Sequence, residues 1–562
     1  MQETAPAISS REDVVNIATV LIEQAHTRPN AIAMYYPVGR RNRMPVYAEY
    51  SYAQLNRDSD AMAHGLRSVG ITRGVRTVLM VKPSTEFFAL SFAIAKLGAV
   101  PVMVDPGMGI KNLGTCLAEA EPEAFIGIAK AHIARALFGW GRASIRTKIC
   151  VGGPHWPGCH RLKRLQQLGE RSDNEPVLAN TSASDDAAIL FTSGSTGVPK
   201  GALYSHGNFA AQVDILRDLS GIQPGEIDLP TFPLFALFDP ALGMTTVIPD
   251  MNASRPATVD PRRLLFAIEQ FGVTNIFASP AVLKRLADHC AENDTQLTSL
   301  RRVVCAGAPV PAGTMARMQA ALTGGAEIIT PYGATEALPV AAIGSREVLG
   351  ETRAKTERGD GICVGPSVKD MTIEIIAISD DPIEDWQDSL LVPDGTIGEV
   401  VATGPTVTRS YFHRPAATLA AKINRGAGVI CHRMGDLGYL DEIGRLWFCG
   451  RKNHRVILDD ETLFTIPVEA IFNTHPKLFR SALVGVGEGS QRRAILCIEL
   501  ESGVSRTEHE TIFGELKALG QSHKKTQSVC EFLVHPGFPV DVRHNSKIVR
   551  EELAPWAEGQ LS

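Results

Sequence analysis

Between residues 52 and 104 the sequence alternates between two hydrophobic spacings, and this alternation limits the fold more than any other feature. Residues 52–66 space their apolar side chains as a helix does, and 76–81 (RTVLMV) read as a short apolar strand. Residues 86–97 read as a second helix, ended by Gly98, and 99–104 as a second strand, ended by Asp105-Pro106-Gly107. This β-α-β rhythm predicts layered α/β structure. Residues 124–128, 148–151 and 187–191 continue the strand series, and 277–280 and 302–305 read as further strand ends, each followed by a turn and a helix. No repeat of fixed period interrupts the pattern. The texture changes after about residue 370. Residues 371–378 and 398–403 are strands with turn residues between them, and the glycine-punctuated run 435–450 predicts a small β-rich subdomain. The remainder reads as a separate α+β unit with strands at 481–486 and 494–500. The polar turn Gly450-Arg451-Lys452-Asn453 divides the chain into an N-terminal region, 1–452, and a C-terminal domain, 453–562.

Composition removes several function classes. With 44% hydrophobic and 21% charged residues the chain is neither disordered nor fibrous. Its 56 basic and 61 acidic residues give a net charge of -5, and this balance predicts no nucleic-acid or anionic-membrane surface. The N-terminus is polar and lacks the apolar core of a secretory signal. The most apolar stretch, 87–104, is interrupted by Lys96, Gly98 and Pro101 and falls short of a membrane span of about 20 residues. No amphipathic helix argues for attachment to a membrane. The ten cysteines form no CxxC and read as small buried hydrophobes of a reducing compartment. Cys159-His160 near His155 comes closest to a metal cluster, but its Gly/Pro/Trp loop reads as structural. A soluble, cytoplasmic protein is expected.

The chemistry is concentrated in Phe191-Thr-Ser-Gly-Ser-Thr-Gly-Val-Pro-Lys-Gly201. The apolar strand AAILF feeds directly into this loop. Gly194 and Gly197 let backbone N–H groups close around an oxyanion. The hydroxyls of Thr192, Ser193, Ser195 and Thr196 add donors, and Lys200 adds a positive charge. Such a loop is a triphosphate cradle. It is not a Walker A loop, because glycine rather than Ser or Thr follows Lys200. A flexible linker would have no reason to follow a buried strand and end in Pro-Lys-Gly.

This loop resembles the phosphate signature of the adenylate-forming superfamily, which includes acyl-CoA synthetases, nonribosomal adenylation domains and luciferases. Six further motifs follow that family's order: Leu97 to Pro106, Ala306 to Pro309, Tyr332 to Glu336, Met434 to Leu440, Cys449 to Lys452, and Asn545 to Arg550. The resemblance implies ATP and Mg²⁺ as cofactors and a small mobile C-terminal domain. It places Tyr332 on the adenine face, Thr335 beside the α-phosphate, Gly333 among the nucleotide-binding residues, and the backbone of Gly307, Ala308 and Pro309 along the adenosine and acyl pockets. Glu336 would hold Mg²⁺ as a hard oxygen ligand. Asp436 would accept both ribose hydroxyls, and Arg451 would reach the ribose or phosphates. Lys547 would stabilise charge on the phosphoryl oxygens during adenylation. Asn453 stands at the family's hinge. Ser546 replaces the glycine that usually precedes the lysine.

Two departures bear on the second step. Ala236 stands where the family often has His, and Asp239 replaces a glycine. The run 454–464 after the hinge has no glycine, where CoA ligases shape a thiol tunnel. Together with 229–243, 247–250 and 534–544, these departures resemble the OleC-type β-lactone synthetases of bacterial long-chain olefin biosynthesis. That likeness implies conversion of a long-chain 2-alkyl-3-hydroxy acid to a β-lactone, AMP and pyrophosphate, with other enzymes of the same lipid pathway as partners. The substrate's own hydroxyl would be the nucleophile, so no thiol tunnel is needed. Asp239 is a candidate base for that hydroxyl or, equally, a helix N-cap, whereas His206 reads as structural. Phe232, Leu234, Phe235, Leu237 and Phe238 are candidates for the alkyl pocket or for ordinary core. Two other readings stand beside this one: a CoA- or carrier-dependent fatty-acid ligase, and an inactive nucleotide-binding module. The joint presence of the phosphate loop, Glu336, Asp436 and Lys547 speaks against the last.

Overall fold

The computed structural model describes residues 15–153, 156–172, 177–192, 199–540 and 547–561. Two largely parallel sheets form the body of the N-terminal region. One has seven strands in the spatial order His160–Arg161, Thr147–Val151, Ala124–Ile128, Arg76–Met80, Val100–Met103, Asp186–Phe191, Gly201–Ser205. All its neighbours are parallel except the last pair. Its central strands are apolar on both faces because helices cover both. Tyr52–Ser68, Thr85–Lys96 and Leu162–Gly169 bury one face. Ile110–Ala120 and the stretch through Trp140 cover the other. Ser51 starts the first of these helices with a capping box completed by Gln54.

The second sheet has eight strands, running from Ala337–Gly344 through Glu327–Ala334, Arg302–Cys305, Asn275–Ala278, Ile227–Pro230 and Thr245–Val247 to the hairpin Ile32–Arg41/Met44–Ser51. The hairpin's first strand pairs in parallel with Thr245–Val247, so early sequence completes a sheet built mostly from later sequence. A third, antiparallel sheet of six strands contains the long pair Val429–Leu440 and Arg445–Arg451, in which Asp436 and Arg451 are direct partners. This is the predicted β-rich subdomain.

A separate α+β unit follows Arg451. The turn Lys452–His454 leads to a three-stranded sheet of Leu478–Val486, Arg493–Leu500 and Glu531–Val534, with its own core of Phe472, Leu483, Leu496, Ile512 and Leu516. The turn is held from the N-terminal side. Lys452 Nζ donates to the Ser379 carbonyl at 2.7 Å and pairs with Glu399, which also holds the buried Arg433. Lys525 reaches back to the Gly359 carbonyl at 2.6 Å and to Asp360. Gly450 (φ +126°) lies so close to Thr465 that an added Cβ would collide with its hydroxyl oxygen, so the Gly450 backbone meets the Thr465 side chain there.

Nine cysteines are buried, as expected, but Cys530 is exposed on the C-terminal unit. Cys159 lies 3.8 Å from His132, which is fixed by the Ile149 carbonyl. No group of three His, Cys, Asp or Glu side chains able to hold a metal occurs among the described residues, and His155 lies outside them. No helix among the described residues is long and apolar enough to cross a membrane.

Candidate active site

Both large sheets point the carboxyl ends of their parallel strands at one cavity of about 1660 Å³. From the seven-stranded sheet come Val81 and Lys82, Val104 and Asp105, and Ile128; from the eight-stranded sheet come Thr231, Ser279 and Ala306. In open α/β sheets the loops at these ends are where ligands bind, because each strand releases its chain there before the return helix. Gly307, Ala308 and Pro309 line the cavity directly after Arg302–Cys305.

Tyr332, Gly333 and Thr335 line the same space, and so do Asp436, Arg451 and Lys547. The structure therefore brings together residues from three sequence regions. The Tyr332 phenol donates to Asp436 Oδ2 at 2.6 Å, while Arg451 donates to Asp436 Oδ1 at 2.8 Å and to the Met434 carbonyl. Burial and then the Asp436 charge push the Tyr332 phenol far up, so it stays protonated and donating. The Asp436 charge likewise raises Arg451. Each carboxylate oxygen of Asp436 retains a lone pair for a further donor.

Thr192, Lys200 and Glu336 are not among the residues that line this cavity. The Thr192 N–H donates to the Lys200 carbonyl at 2.9 Å, and the Lys200 N–H donates to Thr192 Oγ1 at 3.3 Å. The two ends of the glycine-rich loop are thus clasped. Ser193, Gly194, Ser195, Thr196 and Gly197 lie outside the described residues. Lys200 Nζ sits 5.1 Å from the centre of the Tyr411 ring, and the Tyr411 phenol donates to Glu336 Oε1. Thr408 donates to the Glu336 carbonyl through both its N–H and its hydroxyl, and Lys422 in turn donates to that hydroxyl at 3.2 Å. Burial pushes the Lys422 ammonium down to about 7, with Glu336 opposing the shift. Neither Tyr411 nor Lys422 stands out in the sequence. Lys422 could have been noticed only as a lone charge entering a strand.

Two expectations need correction. Asp239 does not face the cavity. It is buried, with Thr246 Oγ1 donating to Oδ2, and it feels the charge of Asp228, to which Asn275 donates. Burial, and for Asp239 the neighbouring Asp228 charge, raises both carboxyls, Asp228 to about 7. Asp239 opens the short helix Asp239–Leu242 from inside, one residue past the N-cap Phe238, so the structure places it neither on the cavity wall nor at the N-cap. Ala236 also turns into the core rather than the cavity. By contrast, Phe232, Leu234, Phe235, Leu237 and Phe238 all line the cavity, with Phe235 stacked on Phe277 at 3.5 Å. Leu234 and Leu237 pack on the core as well, so the two readings of this run describe one surface.

His206 lines the cavity too. Its Nδ1 accepts from the Ile17 N–H at 3.3 Å, which leaves the proton on Nε2. Nε2 is buried without a hydrogen-bond partner among the described residues. Burial lowers this imidazole to about 4.

Residues 21–412 match the family of AMP-binding enzymes. The chain belongs to that family. This AMP-binding enzyme is 50% identical over 551 residues to the olefin β-lactone synthetase of Xanthomonas campestris pv. campestris, an alignment covering 97% of this chain and 98% of that one. It is 50% identical over 554 residues to the protein of the same name from Stenotrophomonas maltophilia, covering 97% and 98%. Among solved structures, an amide bond synthetase from Marinactinospora thermotolerans superposes with a TM-score of 0.77 at 23% identity, over 96% of this chain and 99% of the other. That likeness bears on the fold of this AMP-binding enzyme, a large α/β region followed by a small C-terminal unit.

Proposed function

We propose that this enzyme is an ATP-dependent β-lactone synthetase acting on a long-chain 2-alkyl-3-hydroxy fatty acid through an acyl-adenylate. One observation carries the reading. A single cavity is lined by Asp436, Arg451 and Lys547 and also by the apolar run of Phe232, Leu234, Phe235, Leu237 and Phe238. The half-identical relatives named olefin β-lactone synthetase support the same substrate class.

In the first step the substrate carboxylate attacks the α-phosphorus of ATP, and the bond to pyrophosphate breaks. Asp436 accepts the ribose hydroxyls, Tyr332 and the backbone of Gly307 to Pro309 flank the base, and the loop from Ser193 to Lys200 holds the phosphates. The Lys547 ammonium offsets charge that builds on the phosphoryl oxygens, an interaction strongest in the transition state. Glu336 fits Mg²⁺, since one carboxylate joined by nucleotide phosphates is an ordinary donor set and its Oε2 is not the oxygen engaged by Tyr411. When bound, that ion screens the phosphate charge.

In the second step the 3-hydroxyl oxygen attacks the activated carbonyl, its proton passes to a phosphate oxygen of the departing AMP, and the bond to AMP breaks as the four-membered ring closes. Both reacting groups belong to one molecule, so proximity replaces a second substrate. The apolar wall keeps water from the adenylate. We read 453–562 as the unit that carries Lys547 in and out, pivoting near Asn453.

Incubation with ATP, Mg²⁺ and a 2-alkyl-3-hydroxy fatty acid, with and without CoA, tests the reading by NMR of the carbonyl carbon. A lactone formed without CoA supports it. A product that is acyl-CoA, formed only when CoA is present, overturns it.

A further inference from the structure

The even charge balance of the whole chain conceals a lopsided segment. Residues 124–169 hold eight Lys and Arg and no Asp or Glu, in a protein whose net charge is -5. Within it lies the helix Ala129–Phe138, over the face of the seven-stranded sheet opposite Tyr52–Ser68. The helix has two unlike sides. Ala131 and Ala134 turn inward and line the cavity, with Trp140 just beyond. Ile133, Leu137 and Phe138 turn outward and are exposed by 41%, 74% and 51%. Spacing of four residues places Ile133 and Leu137 on one stripe. Phe138 stacks on Trp140, which itself touches the cavity.

Exposed cations surround this apolar face. Lys130 lies on the helix, Arg142 just after it, and Lys111 beside exposed Ile110 on the neighbouring helix Ile110–Ala120. Gly114 of that helix packs against the Trp140 indole. Lys130 is both exposed and a cavity-lining residue, so the cavity reaches the surface at this patch.

We propose that the outer face of Ala129–Phe138 docks on an anionic lipid bilayer and so places a mouth of the cavity against the membrane from which the long-chain acid is drawn. An exposed apolar stripe ringed by cations is the side-chain pattern of an interfacial helix. Each Lys or Arg near an anionic surface adds electrostatic attraction to it. A protein partner would be expected to meet such an apolar face with its own, whereas cations spread round the rim match phosphate headgroups. The inference rests on the long-chain substrate proposed above, which partitions into bilayers. It also revises the expectation, drawn from net charge, that no anionic-membrane surface exists.

The test is co-sedimentation of the full chain with vesicles of phosphatidylglycerol and phosphatidylcholine, or of phosphatidylcholine alone, with no substrate present. Binding is expected on the anionic vesicles only, weakening as salt rises. Ile133→Ser/Leu137→Ser and, separately, Lys111→Glu/Arg142→Glu should each reduce it about tenfold or more. Adenylation of a soluble short-chain acid should be unchanged in both, which also reports correct folding. Equal binding by wild type and both variants, no binding by wild type, or self-association through this face in the absence of vesicles overturns the proposal. Because the readout needs no turnover, a different product from the enzyme would leave the vesicle result standing.

Discussion

The phenol of Tyr332 donates to the carboxylate of Asp436 across 104 positions of sequence, at 2.6 Å. This bond joins the eight-stranded sheet to the antiparallel subdomain and orients the carboxylate proposed to receive the ribose. Asp436→Ala should weaken ATP binding about 10- to 100-fold, since hydrogen bonds to a charged group are each worth about 1.5–3 kcal/mol. Tyr332→Phe keeps the ring and should cost only a few-fold. Calorimetric titration with a non-hydrolysable ATP analogue checks both, and equal losses in the two variants would contradict the division of labour.

Lys547 lines the same cavity as Asp436 and Arg451. Lys547→Ala should lower adenylate formation by about 10²–10³-fold while leaving nucleotide affinity near wild type. Pyrophosphate–ATP exchange reads the first quantity. Unchanged exchange would remove this lysine from the chemistry.

The Asp228–Asp239 pair separates a structural carboxyl from a catalytic one. Both carboxyls are raised by burial, Asp228 from 3.8 to about 7. The folded chain therefore holds protons that the unfolded chain releases, and this contribution to stability is lost as pH rises from about 4 towards 7. Asp239→Asn should flatten that slope, measured by urea denaturation at pH 5 and pH 7.5, and leave lactone formation within about three-fold of wild type. A collapse of lactone formation with adenylation intact would restore Asp239 as the base.

Lys422 titrates in the opposite sense. Its buried ammonium is held near 7 rather than the ordinary 10.5. Between those values the unfolded chain binds the extra proton, so folding stability rises with pH across that window and is unaffected by this group below it. Lys422→Met should remove the slope between pH 7 and pH 9.5. It should also loosen the Thr408–Glu336 contact, raising the Mg²⁺ concentration needed for half-maximal adenylation. Parallel stability curves for the two proteins would refute the assignment.

Phe235 stacks on Phe277 in the wall proposed to hold the alkyl chains. Phe235→Ala should lower kcat/KM for long-chain acids about tenfold or more, without changing the KM for ATP. A uniform loss over all chain lengths would argue against contact with the chain.

Much of this architecture was readable in advance. The strands Ala124–Ile128, Arg302–Cys305 and Gly398–Thr403 fall at their largely apolar runs, because a buried strand is mostly apolar and is bounded by turn residues, even where it carries one buried charge such as Arg302 or Glu399. The nucleotide-side residues were legible because close backbone approach and a fixed carboxylate demand particular residue types in short order. Strand order was not legible. Nothing local in Ile32–Arg41 announces a parallel partner more than 200 positions later. Asp239 misled because a carboxylate in an apolar run looks the same in sequence whether it faces a cavity or a second carboxyl. Tyr411 and Lys422 escaped for the converse reason. Each acts through long-range contacts that leave no pattern among its neighbours. The basic segment 124–169 was visible but was averaged away in the total charge.

Asp436 and Arg451 face each other across one antiparallel rung, and the turn Lys452–His454 begins at the next residue. The length of chain from 436 to 451 therefore works as a ruler. Adding or removing one residue would rotate Arg451 to the opposite face of its strand, away from the carboxylate. It would also displace Gly450 from its seat on Thr465 and shift the point from which the C-terminal unit swings. Nucleotide recognition and domain geometry are thus gauged by the same hairpin, and neither can drift without the other.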